Sequence, residues 1–245
     1  MNQVFDQIYT KVWNEVFAGI KPLDQEAFKN VYTKDIQLPK QFACALSGTP
    51  VYSGTEYGYK KFMSQEENKK RMNTDNFMEP RSDIPNFAGL LGLMKNRSLF
   101  RGSRSINSEL VEESDDIYSS SYIYQSTHIY SCQKVMYCYN TKTSEYLLAS
   151  KGSGDCSFGI RIMDSGNTSN SFDVHWSGKC AHTYFSHDCY DLRDCMFCFH
   201  IVSKQYCIGN MQFTEDEYKT MKEKLLKEYF AQLASSNAFV SINQL

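Results

Sequence analysis

From Val111 to Ile201 every third residue is small or aliphatic, and none of these thirty-one positions holds a charged or aromatic side chain. The whole chain is 22% charged and 14% aromatic, so a register this clean has odds of roughly one in a million by chance. Eight cysteines (Cys132, Cys138, Cys156, Cys180, Cys189, Cys195, Cys198 and Cys207) share the register, and only Cys44 does not. A helix repeats at 3.6 residues and a simple strand at two. A repeat of three fits short strands joined by tight turns, stacked as a solenoid whose narrow lumen admits small side chains. The residues expected inside include Cys132, Val135, Cys138, Leu147, Cys156, Ile162, Val174, Cys180, Cys189, Leu192, Cys195 and Cys198.

A second repeat sets the coil length. Ser153-Gly154, Ser165-Gly166 and Ser177-Gly178 recur every twelve residues, as do Tyr124, Met136, Leu148, Ile160, Phe172, Tyr184 and Met196. The pattern predicts a mainly β protein: a right-handed β-solenoid with about 12-residue coils over residues 111–210. With coils about 4.8 Å apart, seven to eight of them make a rod of roughly 35 Å. The glycines suit corners of positive φ, and the bulky residues suit a stacked outer ladder. Tyr118, Tyr124 and Tyr130, six apart, add to a flat apolar strip. Such a strip is covered either by the N-terminal arm or by another protein, which makes the seven-residue ladder the expected partner face.

The flanks have other periods. Val4, Ile8, Val12, Val16 and Ile20 recur every four, with Phe5, Trp13 and Phe17 beside them, so residues 1–20 read as an amphipathic helix. Residues 21–110 show no sustained period and carry Pro39, Pro50, Pro80 and Pro85. They are expected to form an irregular arm with one short helix near 59–72, packed along the solenoid or on a partner. Thr214 and Glu217 form a capping-box pair before the stripe Tyr218, Met221, Leu225, Tyr229 and Leu233. Residues 211–235 therefore read as a helix capping the last open coil edge, and 236–245 as a tail.

Composition narrows the function. The chain has 245 residues, is 42% hydrophobic and carries a net charge of −2. It has no sequence-wide basic field of the kind a phosphate-neutralising nucleic-acid binder needs. No stretch approaches 18 consecutive apolar residues, so no membrane span is expected. Around Asn2, Gln3, Asp6 and Lys11 there is no basic segment leading into an apolar core, so a standard secretory signal is not expected either.

The candidate chemistry is modest. Cys195 and Cys198 have C-x-x-C spacing with His200 and Cys207 nearby, a thiolate and imidazole set that suits tetrahedral zinc. Against zinc, no second C-x-x-C completes the set, and the three thiols fall in the lumen register, where a free cysteine packs as a small hydrophobe. Cys132 with Cys138, and Cys189 with Cys195, are half a coil apart and could face each other as disulfides, although a reducing compartment favours thiols. His175, His182, His187 and His200 occur among Asp173, Asp188, Asp191 and Asp194. All are outward positions on a regular rod, where polar groups meet water. No phosphate loop, H-E-x-x-H or G-x-S-x-G motif is present, and the expectation is a non-enzyme without a cofactor.

The run from Phe197 to Tyr218, with Lys204-Gln205-Tyr206-Cys207-Ile208-Gly209-Asn210 followed by Thr214 and Glu217-Tyr218, resembles the end of an uncharacterised family of cysteine-rich period-three repeat proteins. The resemblance covers roughly residues 105–230. That family occurs in candidate-phylum bacteria and large DNA viruses. This chain has fewer cysteines than the pattern, with Ser, Thr or Val at many inward positions. The coils are also similar to insect antifreeze solenoids, but the Thr-x-Thr unit occurs here once, at Thr141-Lys142-Thr143. The resemblance implies a structural role as a minor capsid or capsid-associated component, bridging major capsid subunits of a large icosahedral DNA virus. Its expected partners are the major capsid protein and other minor capsid proteins, in the virion and in host cytoplasm during assembly. A zinc-binding interaction module and a carbohydrate-active solenoid enzyme are the alternatives.

Overall fold

A computed structural model of the chain describes residues 2–54, 61–72, 74, 77–152, 154, 157–161, 172 and 178–236. Its centre is a β-solenoid of about seven turns with a 12-residue repeat. Four-residue strands recur every six residues, so each coil places one strand on each of two opposite walls. One wall stacks Glu109–Glu112, Ser121–Tyr124, Gln133–Met136, Glu145–Leu148 and Ser157–Ile160 in parallel. The other stacks Ser105–Ile106, Asp115–Tyr118, Thr127–Tyr130 and Tyr139–Lys142. Phe172 bridges both Ile160 and Tyr184, carrying the first wall on into Ala181–Tyr184, Arg193–Met196 and Gln205–Ile208.

The lumen uses two kinds of inward position. Strand centres in the first half are aliphatic apart from Thr141, with Ile117, Ile123, Ile129, Val135 and Leu147 wholly buried. Corners from Ser114 to Ser150 are Ser or Cys because a corner N–H has no strand partner and must find an acceptor inside. Ser126 supplies one: its hydroxyl donates to the Tyr124 carbonyl at 2.8 Å and accepts the Cys138 N–H at 3.0 Å, one coil on. Ser114 and Ser120 repeat this for Ser126 and Cys132. Cys138 plays the same part with sulfur, accepting the Ser150 N–H at 3.3 Å. Cys180, Cys189, Leu192, Cys195 and Cys198 fill the lumen farther along, while Cys156, Ile162 and Val174 lie outside the described residues.

Every third residue turns left-handed, as at Tyr122 (φ 58°), His128 (57°) and Tyr137 (58°). An L-residue loses about 1–2 kcal/mol in that conformation. Hydrogen bonds between coils offset the cost: Tyr137 N–H reaches the Tyr124 carbonyl and Thr143 N–H that of Tyr130, each at 3.0 Å. This corrects the expected glycine corners. Gly152 and Gly209 occupy the left-handed register, at 68° and 57°, but Gly154 and Gly178 stand one position before it. The ladder imposes the turn on whichever residue sits there; Gly166 lies outside the described residues.

Among the described residues five helices flank the coils: α1 (Gln3–Val16), α2 (Gln25–Tyr32), α3 (Gln65–Met72), α4 (Phe87–Arg97) and α5 (Glu215–Ser236). Residues 21–110 are thus not an irregular arm. Their described residues include α2, α3 and α4, a hairpin pairing Lys40–Ala43 with Pro50–Ser53, and the strand pair Phe62–Met63 with Phe100–Arg101. The pieces are too short to display a period, and apart from α4 each docks through a few residues. The coils begin earlier than residue 111, since Ser105–Ile106 already pairs with Ile117 and Tyr118.

The Thr214 capping box forms, with Thr214 N–H on Glu217 Oε2 at 2.9 Å, and opens α5. That helix does not lie across the open coil end. It runs back along the ladder, Tyr218 beside Tyr206, Lys222 over the Tyr184 ring and Tyr229 beside Phe172. The last strand is instead paired antiparallel with Met211–Gln212. Its apolar stripe has more area to bury along the ladder than across a narrow coil end. Among the described residues, no helix is long and apolar enough to cross a membrane.

Candidate functional site

The expected partner face is covered by the chain itself. Tyr124, Met136, Leu148, Ile160, Phe172, Tyr184 and Met196 are all buried in one cluster with α1, α2 and α5. Phe5 meets Tyr124 at 5.1 Å between ring centroids, and Phe17 meets Phe172 edge-on at 4.7 Å. Helix α1 and the residue after it therefore run along the ladder from Tyr124 to Tyr184. Arg161 clamps the end of α2, donating to the Tyr32 carbonyl and to both Asp35 carboxylate oxygens at 2.7 Å. The physical reason is area: a continuous row of large apolar side chains stays exposed only at a cost of about 25 cal/mol per Å², and the flanking amphipathic helices remove it from water. Tyr118, Tyr124 and Tyr130 do not form one strip, because six residues is half a coil. Tyr118 and Tyr130 stack on the outer wall at 5.3 Å, and Tyr124 points to the opposite side.

The zinc candidates do not converge. Cys195, Cys198 and Cys207 lie buried in the lumen, whereas the His200 side chain is 69% exposed on the outside. A thiolate ligand must lose its proton. Burial pushes the Cys189 thiol up to about 11 and raises Cys207 as well. In the Cys195–Cys198 pair, Cys195 is raised by the hydrogen bond that lowers Cys198. Neither proposed disulfide forms, since Cys132, Cys138, Cys189 and Cys195 are all thiols. Each sulfur turns toward backbone: Cys132 to the Tyr130 carbonyl at 3.2 Å, Cys138 to Met136 at 3.2 Å, Cys189 to His187 at 3.2 Å and Cys195 to Arg193 at 3.3 Å.

The arm presents the surface that the ladder does not. Its root is fixed to the first coils. Gln65 exchanges two 2.7 Å hydrogen bonds with the backbone of Ser105, and buried Asp115 accepts Gly54 N–H at 3.2 Å and the Arg104 side chain. Gly102 packs so closely on the hairpin that a Cβ there would lie 2.4 Å from Val51 and 2.6 Å from the Tyr52 carbonyl. Beyond this root stands α4, opened by the Asn86 side chain accepting Gly89 N–H at 2.8 Å. None of its residues is buried. Phe87, Leu91 and Met94, spaced i, i+4 and i+7 on one face, are 73%, 53% and 52% exposed. Met78 and Ile84, in the segment before α4, are also exposed, and Lys95 and Arg97 stand in the last turn. Five of its eleven residues are large and apolar (Phe87, Leu90, Leu91, Leu93 and Met94), but the stretch is short and broken by Gly89 and Gly92, so it shows no sustained period, although Asn86 before Phe87 is a readable helix start.

Two further polar clusters stand out among the described residues, one partly buried at the first coils and one exposed. Arg104, Asp115, Asp116 and His128 form one network, with Arg104 on both carboxylates and His128 Nδ1 against Asp116. His187, Asp188 and His200 form another, on the coil corners near the C-terminal end. A cavity of about 900 Å³ opens between the α2 linker, the hairpin and the corner residues Glu113 and Gln125. No protein-family model matches the chain, and neither a curated protein nor a solved structure matches it.

Proposed function

We propose that the chain is a non-enzymatic assembly protein whose solenoid is a rigid platform and whose α4 docks into an apolar groove on a neighbouring protein subunit. The observation that carries this reading is the exposure of Phe87, Leu91 and Met94 on a helix with no buried residue. An isolated helix below about 12–15 residues is marginal in water, and α4 has 11. Burying one such side chain contributes about 1.5–3 kcal/mol, so a groove that accepts all three stabilises helix and complex together. Lys95 and Arg97 favour an acidic rim where the helix ends. The sequence resemblance supplies the assembly: a capsid of a large DNA virus, with this chain as a minor component bridging major capsid subunits.

Assemblies isolated with the wild-type chain and with a Phe87→Asp, Leu91→Asp variant test the reading by native mass spectrometry and crosslinking. The wild type is expected at fixed stoichiometry, with α4 crosslinked to one neighbouring protein. The variant, whose altered residues are exposed, is expected to keep its melting temperature and to leave the assembly. Retention of the variant overturns the proposal, and so does a crosslink from α4 to a second copy of the same chain.

A further inference from the structure

The coil repeat builds a nitrogen and oxygen donor set on the outer surface that the lumen thiols cannot provide. Asp188 and His200 are twelve residues apart and both left-handed, at φ 51° and 53°, so they project from the same corner of successive coils. Coils stack about 4.8 Å apart, which is the reach of two side chains sharing one ion. His187, directly before Asp188, brings a second imidazole to the same corner. Its Nδ1 lies 3.0 Å from Asp188 Oδ2, and His200 Nδ1 lies 4.0 Å from the same oxygen. Ligand atoms of all three residues fall within 4.8 Å of one another.

The corner is held in place. His187 N–H donates to the Cys198 carbonyl at 3.0 Å, and the Cys189 thiol donates to the His187 carbonyl at 3.2 Å. The next coil position, Phe199, is clamped at both backbone groups by the Asn210 side chain, 3.0 Å each way. The Phe199 ring stacks on His187 at 5.8 Å and 12°, and His200 stands edge-on to it at 6.2 Å and 87°. Phe199 therefore orients both imidazoles.

We propose that His187, Asp188 and His200 bind one divalent transition-metal ion, zinc being the best match. Zinc takes His nitrogen at about 2.0–2.1 Å and carboxylate oxygen at about 2.0–2.2 Å, so tetrahedral ligand atoms sit roughly 3.3 Å apart. The separations of 3.0 and 4.0 Å bracket that value. Two imidazoles select a borderline metal over magnesium or calcium. With three protein donors, the fourth position is left to water or to a group from a bound partner.

Cobalt(II) and zinc titrations of the full-length chain under reducing conditions test the site. One cobalt per chain is expected, with a ligand-field spectrum of nitrogen and oxygen donors and no thiolate charge-transfer band. His200→Ala and Asp188→Asn are each expected to weaken zinc at least about tenfold while leaving the far-ultraviolet circular dichroism unchanged. Nickel(II) broadening of the His187 and His200 ring signals in the wild-type protein decides the point without a substitution. A thiolate band, unchanged affinity in the variants, or broadening confined to other histidines overturns the proposal.

Discussion

Asp115, wholly buried, receives the Arg104 side chain through two parallel hydrogen bonds, Nε to Oδ1 at 3.0 Å and Nη2 to Oδ2 at 2.9 Å. The same carboxylate takes the Gly54 and Arg104 backbone N–H groups, so one side chain ties the hairpin, the strand approach and the first coils together.

Removing one partner of a buried pair leaves the other charge uncompensated, which costs about 3–5 kcal/mol. Arg104 is 21% exposed at its side chain and keeps Asp116 at 3.3 Å, which places Asp115→Ala at the lower end of that range. Urea unfolding at constant m-value checks it. A loss below about 1 kcal/mol would show that the arm root is held by other contacts.

The corner ladder makes a sharper distinction. Ser126→Ala leaves the Cys138 N–H without its acceptor inside the lumen, and an unsatisfied buried donor costs about 1–3 kcal/mol. Ser126→Cys keeps an acceptor, as Cys138 does for Ser150, and is expected to cost less than about 1 kcal/mol. Equal melting temperatures for the two variants would sink the account of why corners are Ser or Cys.

Alkaline pH probes the covered ladder. Burial, with Glu113 adding to it, pushes Tyr124 up to about 12, and burial drives Tyr137 and Tyr184 above the ordinary tyrosine range. A folded-state pKa above the unfolded value near 10 contributes stability that is complete below about pH 10 and lost as pH rises toward 12. The melting temperature is therefore expected to fall steeply above pH 10. Tyr184→Phe gives a shallower fall and a neutral-pH loss of about 0.5–1.5 kcal/mol, since its hydroxyl donates to the Val16 carbonyl at 2.7 Å. A wild-type melting temperature that stays flat to pH 12 would contradict the assignment.

The inward register was legible before any coordinates because a narrow lumen excludes large and charged groups at every third position, and exclusion leaves a mark on composition. The Thr214–Glu217 cap was legible for a similar reason, being a contact between residues three apart. Corner positions were readable as small, but not as a hydrogen-bonded ladder, because Ser126 and Cys138 meet through stacking and not through sequence proximity.

What covers Tyr124 through Met196 was undecidable from pattern alone, since a helix of this chain and a foreign protein present the same apolar stripe to the ladder. Tertiary packing chose α1, α2 and α5. Likewise, the spacing of Cys195, Cys198 and Cys207 looks like a metal motif, yet period three turns them into the lumen and leaves His200 outside, beside His187 and Asp188. Sequence by itself determined the coil, its length and its interior, because those follow from a strict steric repeat. Only the tertiary structure decided the left-handed corners, the course of the arm and which outward groups meet, because these depend on bonds and contacts between residues brought together by stacking and docking.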